Sequence, residues 1–276
     1  MKKLNGRKML RAIGKYEDRC EKATEKCIPR MGKKAPICYE YLGQLLAYAD
    51  MIGSCAYGCP GKSEDVHSVW YLVARTSSFG RAALRLTKMG FYDEALIIVR
   101  SMGEICNLLS LFSLAPETID EWKKSDRAHR LTNLSPSKIR KRIEALGKIP
   151  AITATRYAAL CEVSTHPVPN LRPQRFNHAG RSMTGGIYLQ EAGILVVLNE
   201  MAIALALLVI LAAQICKVPK EPFDQIKETC VMCLESAGGV DLESLDELWK
   251  VMEKGRANNS TDTGRNRFNR LKPRIL

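Results

Sequence analysis

The chain has 276 residues, 46% of them hydrophobic, and a formal net charge of +13. This length and hydrophobic fraction predict one large domain with a sizeable core. The ten cysteines follow no disulfide-scaffold spacing, and residues 1–34 are too charged to contain an apolar signal segment. We therefore expect free thiols and a cytoplasmic protein rather than a secreted one.

The positive charge is concentrated in two arms. Residues 1–34 contain twelve Lys/Arg and four acidic residues, and residues 256–276 contain six and one, so the body between them is neutral. Within that body, residues 123–181 contain thirteen basic and three acidic side chains. A basic band in a neutral body predicts a polyanionic partner, with nucleic acid as the first candidate. For the arms alone, a role in solubility explains the charge equally well.

Helical periodicity dominates the chain, and no run of alternating apolar residues predicts a strand. The first strong helical segment is 36–56, followed by a Gly/Pro loop over 57–62. Ser63 then predicts a helix N-cap, and this helix runs to a stop at Gly90. Apolar residues at helical spacing predict the next helix over 92–114.

Further helices are predicted downstream of this segment. A Ser-Pro pair, typical of a helix N-cap and first position, opens a basic helix over 135–146. Another helix is predicted over 151–164. A Ser-x-x-Glu capping box predicts a short last helix over 244–254.

The segment 192–216 is apolar on all sides and raises the question of a membrane span. A span needs about 20 apolar residues, whereas Asn199 and Glu200 leave only 201–213 free of polar groups. A carboxylate at that depth in lipid is costly without a partner. The central helix of a bundle, buried all round, explains the same pattern, and we favour it over a membrane span.

Together these elements predict an all-α fold, a single helical bundle around the buried central helix. The bundle domain is assigned to 35–254. Residues 1–34 are expected to form a basic, partly helical arm, and 255–276 a basic, flexible tail that stays disordered without a partner.

Two cysteine pairs have spacings that place both sulfurs on one face of a helix, namely Cys55/Cys59 and Cys230/Cys233. Four thiolates could hold zinc. Both pairs lie in apolar helical sequence without a turn-forming knuckle, which favours ordinary buried cysteines. We therefore expect no metal and no cofactor.

A polar stripe interrupts the otherwise apolar helix 92–114. Arg100, Glu104 and Asn107 fall at positions i, i+4 and i+7, on one face. A structural ion pair whose long side chains reach water is one interpretation. A charged site lining a cleft between helices is the other.

Residues 164–187 form a long segment without predicted secondary structure, which contains two of the four histidines. Metal-independent cleavage of an RNA phosphodiester needs a group that takes the 2′-hydroxyl proton and a cation that holds the charge growing on the phosphate. Histidine and arginine can supply both, and this segment offers His166, Arg172, Arg175, His178 and Arg181. Binding of nucleic acid or another anion without catalysis needs the same residue types.

Two runs carry a resemblance to a known group of proteins. The first, GFYDEALIIVRSMGE at 90–104, contains an Arg-x-x-x-Glu pair, and the second, YAALCEVSTH at 157–166, is a Tyr-x-x-Leu-(Ser/Cys)-x-x-x-x-His segment. Glu121-Trp122 lies between them. Over roughly 70–215 the chain resembles a group of bacterial helical proteins that we place near the HEPN (higher eukaryotes and prokaryotes nucleotide-binding) superfamily.

The resemblance implies a helical bundle that is often dimeric. For many members it also implies metal-independent RNase activity in toxin–antitoxin, abortive-infection and other antiphage systems. The superfamily's active motif is an arginine followed four to six residues later by histidine, a spacing that Arg172 and His178 share, although Pro173 stands where the superfamily has a polar residue. Arg100, Glu104 and His166 match the narrower group.

The prediction is therefore a HEPN-like protein that acts on RNA. Its catalytic form would be a metal-independent endoribonuclease in a bacterial defence or toxin system. His166 or His178 would be the general base, with Arg100 as the phosphate-stabilising cation and Glu104 orienting one of them. The residues expected to hold the RNA backbone are Lys138, Arg140, Lys141, Arg142, Arg175 and Arg181, together with the basic arms. Because an unpaired buried carboxylate is costly, Glu200 is expected to pair with Arg100 or Arg156.

The alternative is a non-catalytic helical module that binds a partner protein, a nucleotide or nucleic acid. In that case Arg100 and Glu104 form a structural pair, and 164–187 is a recognition surface. An antitoxin or regulatory protein and a second copy of the chain are further expected partners. The least favoured interpretation is a membrane protein that is inserted through residues 192–213.

Overall fold

The computed structural model describes residues 5–57, 64–164 and 188–237. Within these ranges the chain forms ten α-helices and no strand, which confirms the predicted all-α bundle. The helices are α1 (Gly6–Cys27), α2 (Lys34–Tyr57), α3 (Glu64–Lys88), α4 (Tyr92–Leu114), α5 (Thr118–Lys124), α6 (Arg127–Asn133), α7 (Pro136–Ala145), α8 (Ala154–Ser164), α9 (Glu191–Ile215) and α10 (Lys220–Ala237).

Helix α9 is the centre of the bundle and packs against α2, α3, α4 and α10. Every residue from Met201 to Ala213 is buried. A helix with apolar side chains on every face needs neighbours on every side, and α2, α3, α4 and α10 provide them. The predicted buried central helix is confirmed.

By length and apolar composition alone, α4 and α9 could each cross a membrane. In the described bundle, 67% and 78% of their most apolar windows are buried against other helices. The core helix of a bundle passes the same test of composition, so this observation is weak evidence for a membrane span.

The predicted boundaries agree with the structure within a few residues. Helix α4 has the predicted bounds, because Gly90, at φ +88°, ends α3 and lets the chain reverse. No bounds were predicted for α1 or α10, and the short helices α5 and α6 were not predicted. Each has seven residues, about two turns, so neither carries a readable hydrophobic period.

Several predicted features lie outside the described residues. They are most of the loop 57–62, the Ser63 cap, the last helix at 244–254, the tail at 255–276 and the segment 165–187.

Two glycines let other parts of the chain approach α4 closely. A Cβ on Gly103 would lie 2.7 Å from Cγ1 of Ile152, in the segment that leads into α8. A Cβ on Gly193 of α9 would lie 2.7 Å from the ring of Tyr92. Larger residues there would separate α4 from α8 and α9, so both glycines help to position the polar stripe of α4.

Candidate functional site: two arginines over Tyr157

The polar stripe of α4 divides into a structural and a charged part. Asn107, only 2% exposed, donates from Nδ2 to the carbonyl of Ile152 and accepts from its N–H, both at 2.9 Å. These bonds fasten the segment before α8 to α4. One turn earlier, Nε of Arg100 lies 3.7 Å from Oε1 of Glu104, a loose ion pair at i, i+4.

The half-buried carboxylate of Glu200 on α9 pairs with Arg156, the second of its two predicted partners. Nε of Arg156 donates to Oε2 of Glu200 at 2.6 Å, and Nη2 donates to Oε1 at 2.8 Å. A bidentate pair of this kind fixes both side chains in one geometry. It joins α8 to α9 and leaves Arg100 free of Glu200.

Tyr157, the next residue of α8, lies between the two groups of residues predicted from the sequence. Cζ of Arg100 is 5.5 Å from the Tyr157 ring centroid, and Cζ of Arg140 on α7 is 4.5 Å from it. Both distances are within the range of a cation–π contact. The Tyr157 hydroxyl donates to Oε1 of Glu104 at 2.9 Å, and Nη1 of Arg100 donates to Sγ of Cys161 at 3.5 Å. We call these five residues the Tyr157 cluster.

Charge is not balanced in this cluster. Arg140 is 8% exposed and has no carboxylate partner in the described part of the chain, and its buried Nη1 atom has no hydrogen-bond acceptor. The buried Nε of Arg100 likewise has no acceptor within hydrogen-bond distance. Two guanidinium groups thus share one carboxylate, and a buried donor without an acceptor is costly. The cluster therefore favours an additional anion.

Burial and the neighbouring carboxylate keep Tyr157 in its neutral form. Burial is the larger cause, and with the Glu104 hydrogen bond it raises the pKa of Tyr157 to about 12. The hydroxyl is consequently a hydrogen-bond donor at neutral pH, which holds the Glu104 carboxylate beside Arg100.

The four basic residues predicted on α7 face three different environments. Arg140 turns inward to Tyr157, whereas Lys138 and Lys141 are exposed. Arg142 is held by an acidic residue of α5, since its Nη2 lies 2.8 Å from Oε2 of Glu121. Only the two lysines offer unpaired charge on the outer face.

Glu121 is the centre of a second network; the sequence analysis named it only as a residue between the two resemblance motifs. Oε1 of Glu121 lies 3.0 Å from Nη1 of Arg142 and 3.0 Å from Nε2 of His129. Arg142 and, to a smaller extent, His129 lower the pKa of Glu121 against the effect of burial. The network borders an open groove of about 460 Å³ that Lys138 and Lys141 also line.

Five predicted residues lie outside the described part of the chain, namely His166, Arg172, Arg175, His178 and Arg181. The described residues on either side of that segment both contact α4. Cys161, near the end of α8, contacts Arg100. On the other side, the N–H of Gln190 donates to the Tyr92 hydroxyl at 2.9 Å, and that hydroxyl donates to the carbonyl of Tyr188 at 3.3 Å.

In the described residues, no group of three or more His, Cys, Asp or Glu side chains is placed to hold a metal ion. Cys230 and Cys233 are fully buried on α10, and Sγ of Cys230 donates to the carbonyl of Ala206 at 3.3 Å. Burial raises the pKa of the Cys230 thiol, which disfavours the thiolate that zinc would need. The side chain of Cys55, and Cys59, lie outside the described residues.

The sequence analysis found Arg100, Glu104 and Arg140 but missed what joins them. Tyr157 was noted only as a residue of the resemblance motif. The basic run at 138–142 carried no signal that one of its members points inward, except that Ile139 and Ile143 mark the buried side of α7 on either side of Arg140.

Comparisons of the chain with protein-family models, with curated proteins and with solved structures found no match. The resemblance to HEPN proteins therefore stays a prediction from the two motifs.

Proposed function

We propose that this protein binds RNA, with the Tyr157 cluster holding a phosphate group of the backbone. The observation that carries the proposal is Arg140, a buried guanidinium that lies over an aromatic ring and has no carboxylate partner among the described residues. A phosphate oxygen is a strong acceptor for guanidinium donors, and arginine recognises it with a planar, bidentate geometry.

Lys138 and Lys141 extend this site along the outer face of α7. Both are exposed and lie within three residues of Arg140. Because neighbouring phosphates of a single strand are a few ångströms apart, cations along one helix face suit an extended polyanion better than a single small anion. The basic composition of 123–181 supports the same partner.

RNA cleavage is the second step of the proposal, and it rests on the two described ends of 165–187, which both contact α4. His166 or His178 would take the 2′-hydroxyl proton as the new O–P bond forms and the bond to the 5′-oxygen breaks, and the leaving 5′-oxygen would take a proton from water. Arg100 would hold the charge on the phosphate, with Glu104 keeping it in place. As a HEPN-like endoribonuclease the protein would act in a defence or toxin system.

Binding is tested by fluorescence anisotropy with a labelled single-stranded RNA in EDTA, over a series of salt concentrations. We expect the logarithm of the affinity to fall linearly with the logarithm of the salt concentration. Arg100→Gln is expected to weaken binding by roughly tenfold, the cost of one charged hydrogen bond. Arg75→Gln on α3 is the matched control, since Arg75 is exposed and lies over the ring of Phe79 at 5.0 Å.

Equal affinities of the Arg100 and Arg75 variants would contradict the phosphate site. Cleavage is scored in the same samples by gel electrophoresis. If the wild-type protein binds RNA in EDTA without cutting it, the binding proposal stands and the cleavage step is wrong. The protein is then the non-catalytic binding module. If it does not bind RNA either, a partner protein or a nucleotide is the alternative ligand.

A further inference from the structure

Helix α1 is docked on the bundle along only part of its length. Its C-terminal half buries Cys20 and Thr24. Salt bridges to α3 hold the same half, since Nζ of Lys88 lies 3.0 Å from Oε1 of Glu21 and 2.6 Å from Oε1 of Glu25. The N-terminal half, before Glu17, has no buried residue.

The apolar face of α1 continues into the undocked half. Met9, Ile13 and Tyr16 are 47%, 49% and 54% exposed, and neighbouring Leu10 is 70% exposed. Their spacing to Cys20 is helical, so they extend the stripe that docks on the bundle. We call these four residues the α1 stripe. Four large apolar side chains on one exposed face indicate a surface that is normally covered.

The stripe is accompanied by charge of one sign. Residues 5–16 contain four basic residues and no acidic one. An occupant must therefore combine an apolar face with negative charge. RNA supplies the charge, but its bases stack on aromatic rings, and Tyr16 is the one aromatic residue among the four of the α1 stripe.

The sequence contains such an occupant in residues 241–253. Leu245, Leu248, Trp249 and Met252 fall at i, i+3, i+4 and i+7, the pattern of one apolar helix face. The same residues carry five carboxylates and one lysine. The sequence analysis predicts a helix here from its capping box, and its charge is opposite to that of residues 5–16.

The described chain stops where this segment can reach α1. The thiol of Cys38, near the start of α2, contacts Cys233 and Ser236 in the last turn of α10. Helix α10 thus ends at the end of the bundle where α1 joins α2. From Ala237, the seven residues before Leu245 span up to about 23 Å. The distance back along α1 from Cys27 to Tyr16 is about 16 Å.

We propose that residues 245–253, starting after the Ser244 cap, form an acidic amphipathic helix that docks on the α1 stripe of the same molecule. Apolar side chains cover one another, and the carboxylates face the basic residues of α1. The geometry disfavours a flat lipid surface, because the stripe lies on the same face of α1 as the residues that dock on the bundle.

The test is hydrogen–deuterium exchange of the full chain, followed in peptides from 6–19 and 241–253. Leu248→Asp is expected to raise exchange in 6–19 by about tenfold, because it removes a buried leucine and places a charge in the contact. Lys250→Asp, on the polar side of the same predicted helix, is the matched control and should leave 6–19 unchanged. In return, Ile13→Asp should raise exchange in 241–253, and Ile37→Asp, at an exposed isoleucine of α2, should not.

Unprotected exchange of 6–19 in the wild-type chain, with no response to Leu248→Asp, would overturn the proposal. Protection that is lost on dilution together with a dimer, measured by light scattering, would assign the stripe to a second copy instead. Protection gained only with vesicles containing phosphatidylglycerol would assign it to an anionic membrane.

Discussion

Arg156 on α8 and Arg140 on α7 are both largely withdrawn from water, yet within the described ranges only Arg156 has a carboxylate partner. Arg156 makes a bidentate pair with Glu200, whereas Arg140 lies over Tyr157, and its buried Nη1 atom has no acceptor in the described part of the chain. The complete Arg156–Glu200 pair has a structural role, because it joins α8 to α9. For the incomplete pair we propose an anionic ligand, and the predictions below test whether Arg156 and Arg140 differ in this way.

Breaking the complete pair should have the largest effect on stability. Arg156→Met leaves Glu200 without its partner in a site where that carboxylate is 21% exposed. We expect the free energy of unfolding to fall by about 3 kcal/mol, measured by urea denaturation. The double variant Arg156→Met/Glu200→Met should recover most of this loss, because no uncompensated charge remains. A double variant as unstable as the single one would show that the loss of stability does not come from an unpaired Glu200 carboxylate.

Asn107 should behave like Arg156 rather than like Arg100, although it belongs to the same stripe. Asn107→Leu leaves the N–H and the carbonyl of buried Ile152 without partners, for a loss of about 2 kcal/mol. Asn133→Leu is the control, since Asn133 is exposed and its side chain bonds the exposed side of the His129 ring rather than a buried backbone group. Thermal and urea unfolding should show little change for the control, and equal losses would remove the distinction.

The exposed lysines of α7 should affect binding and not stability. Lys138→Gln and Lys141→Gln are each expected to reduce the salt slope of RNA binding by about one, with an unchanged unfolding temperature. Lys220→Gln, an exposed lysine at the start of α10, should leave the slope as it is. Three identical slopes would place the RNA away from α7.

The smallest effect concerns pH, through the Glu121 network. Because Arg142 lowers the folded-state pKa of Glu121, this carboxylate stabilises the fold above its ordinary unfolded pKa of about 4.3. The stabilisation is lost as the pH falls through the lower folded pKa. Arg142→Met should therefore lower the free energy of unfolding at pH 6 to 7. It should also make that free energy less dependent on pH below about 4. Parallel pH profiles for the variant and the wild type would mean that Arg142 does not control Glu121.

The sequence was sufficient to predict features that depend on the residues of a single helix. The bounds of α4, the central place of α9 and the need of Glu200 for a partner all follow from local patterns. The meeting of Arg140 with Tyr157 does not, because these residues lie on different helices and their distance depends on how α7 and α8 pack on α4. The same limit explains Glu121 and His129, since nothing in a two-turn helix predicts which way its side chains face.

The contrast between the two arginines is tested most directly by Arg140→Met, measured for both unfolding temperature and RNA affinity. Methionine fills a similar volume without the charge. We predict an unfolding temperature equal to or above that of the wild type, together with an RNA affinity that is about tenfold weaker. A lower unfolding temperature with unchanged RNA affinity would show that Arg140 is there to hold the fold, and would contradict the phosphate site.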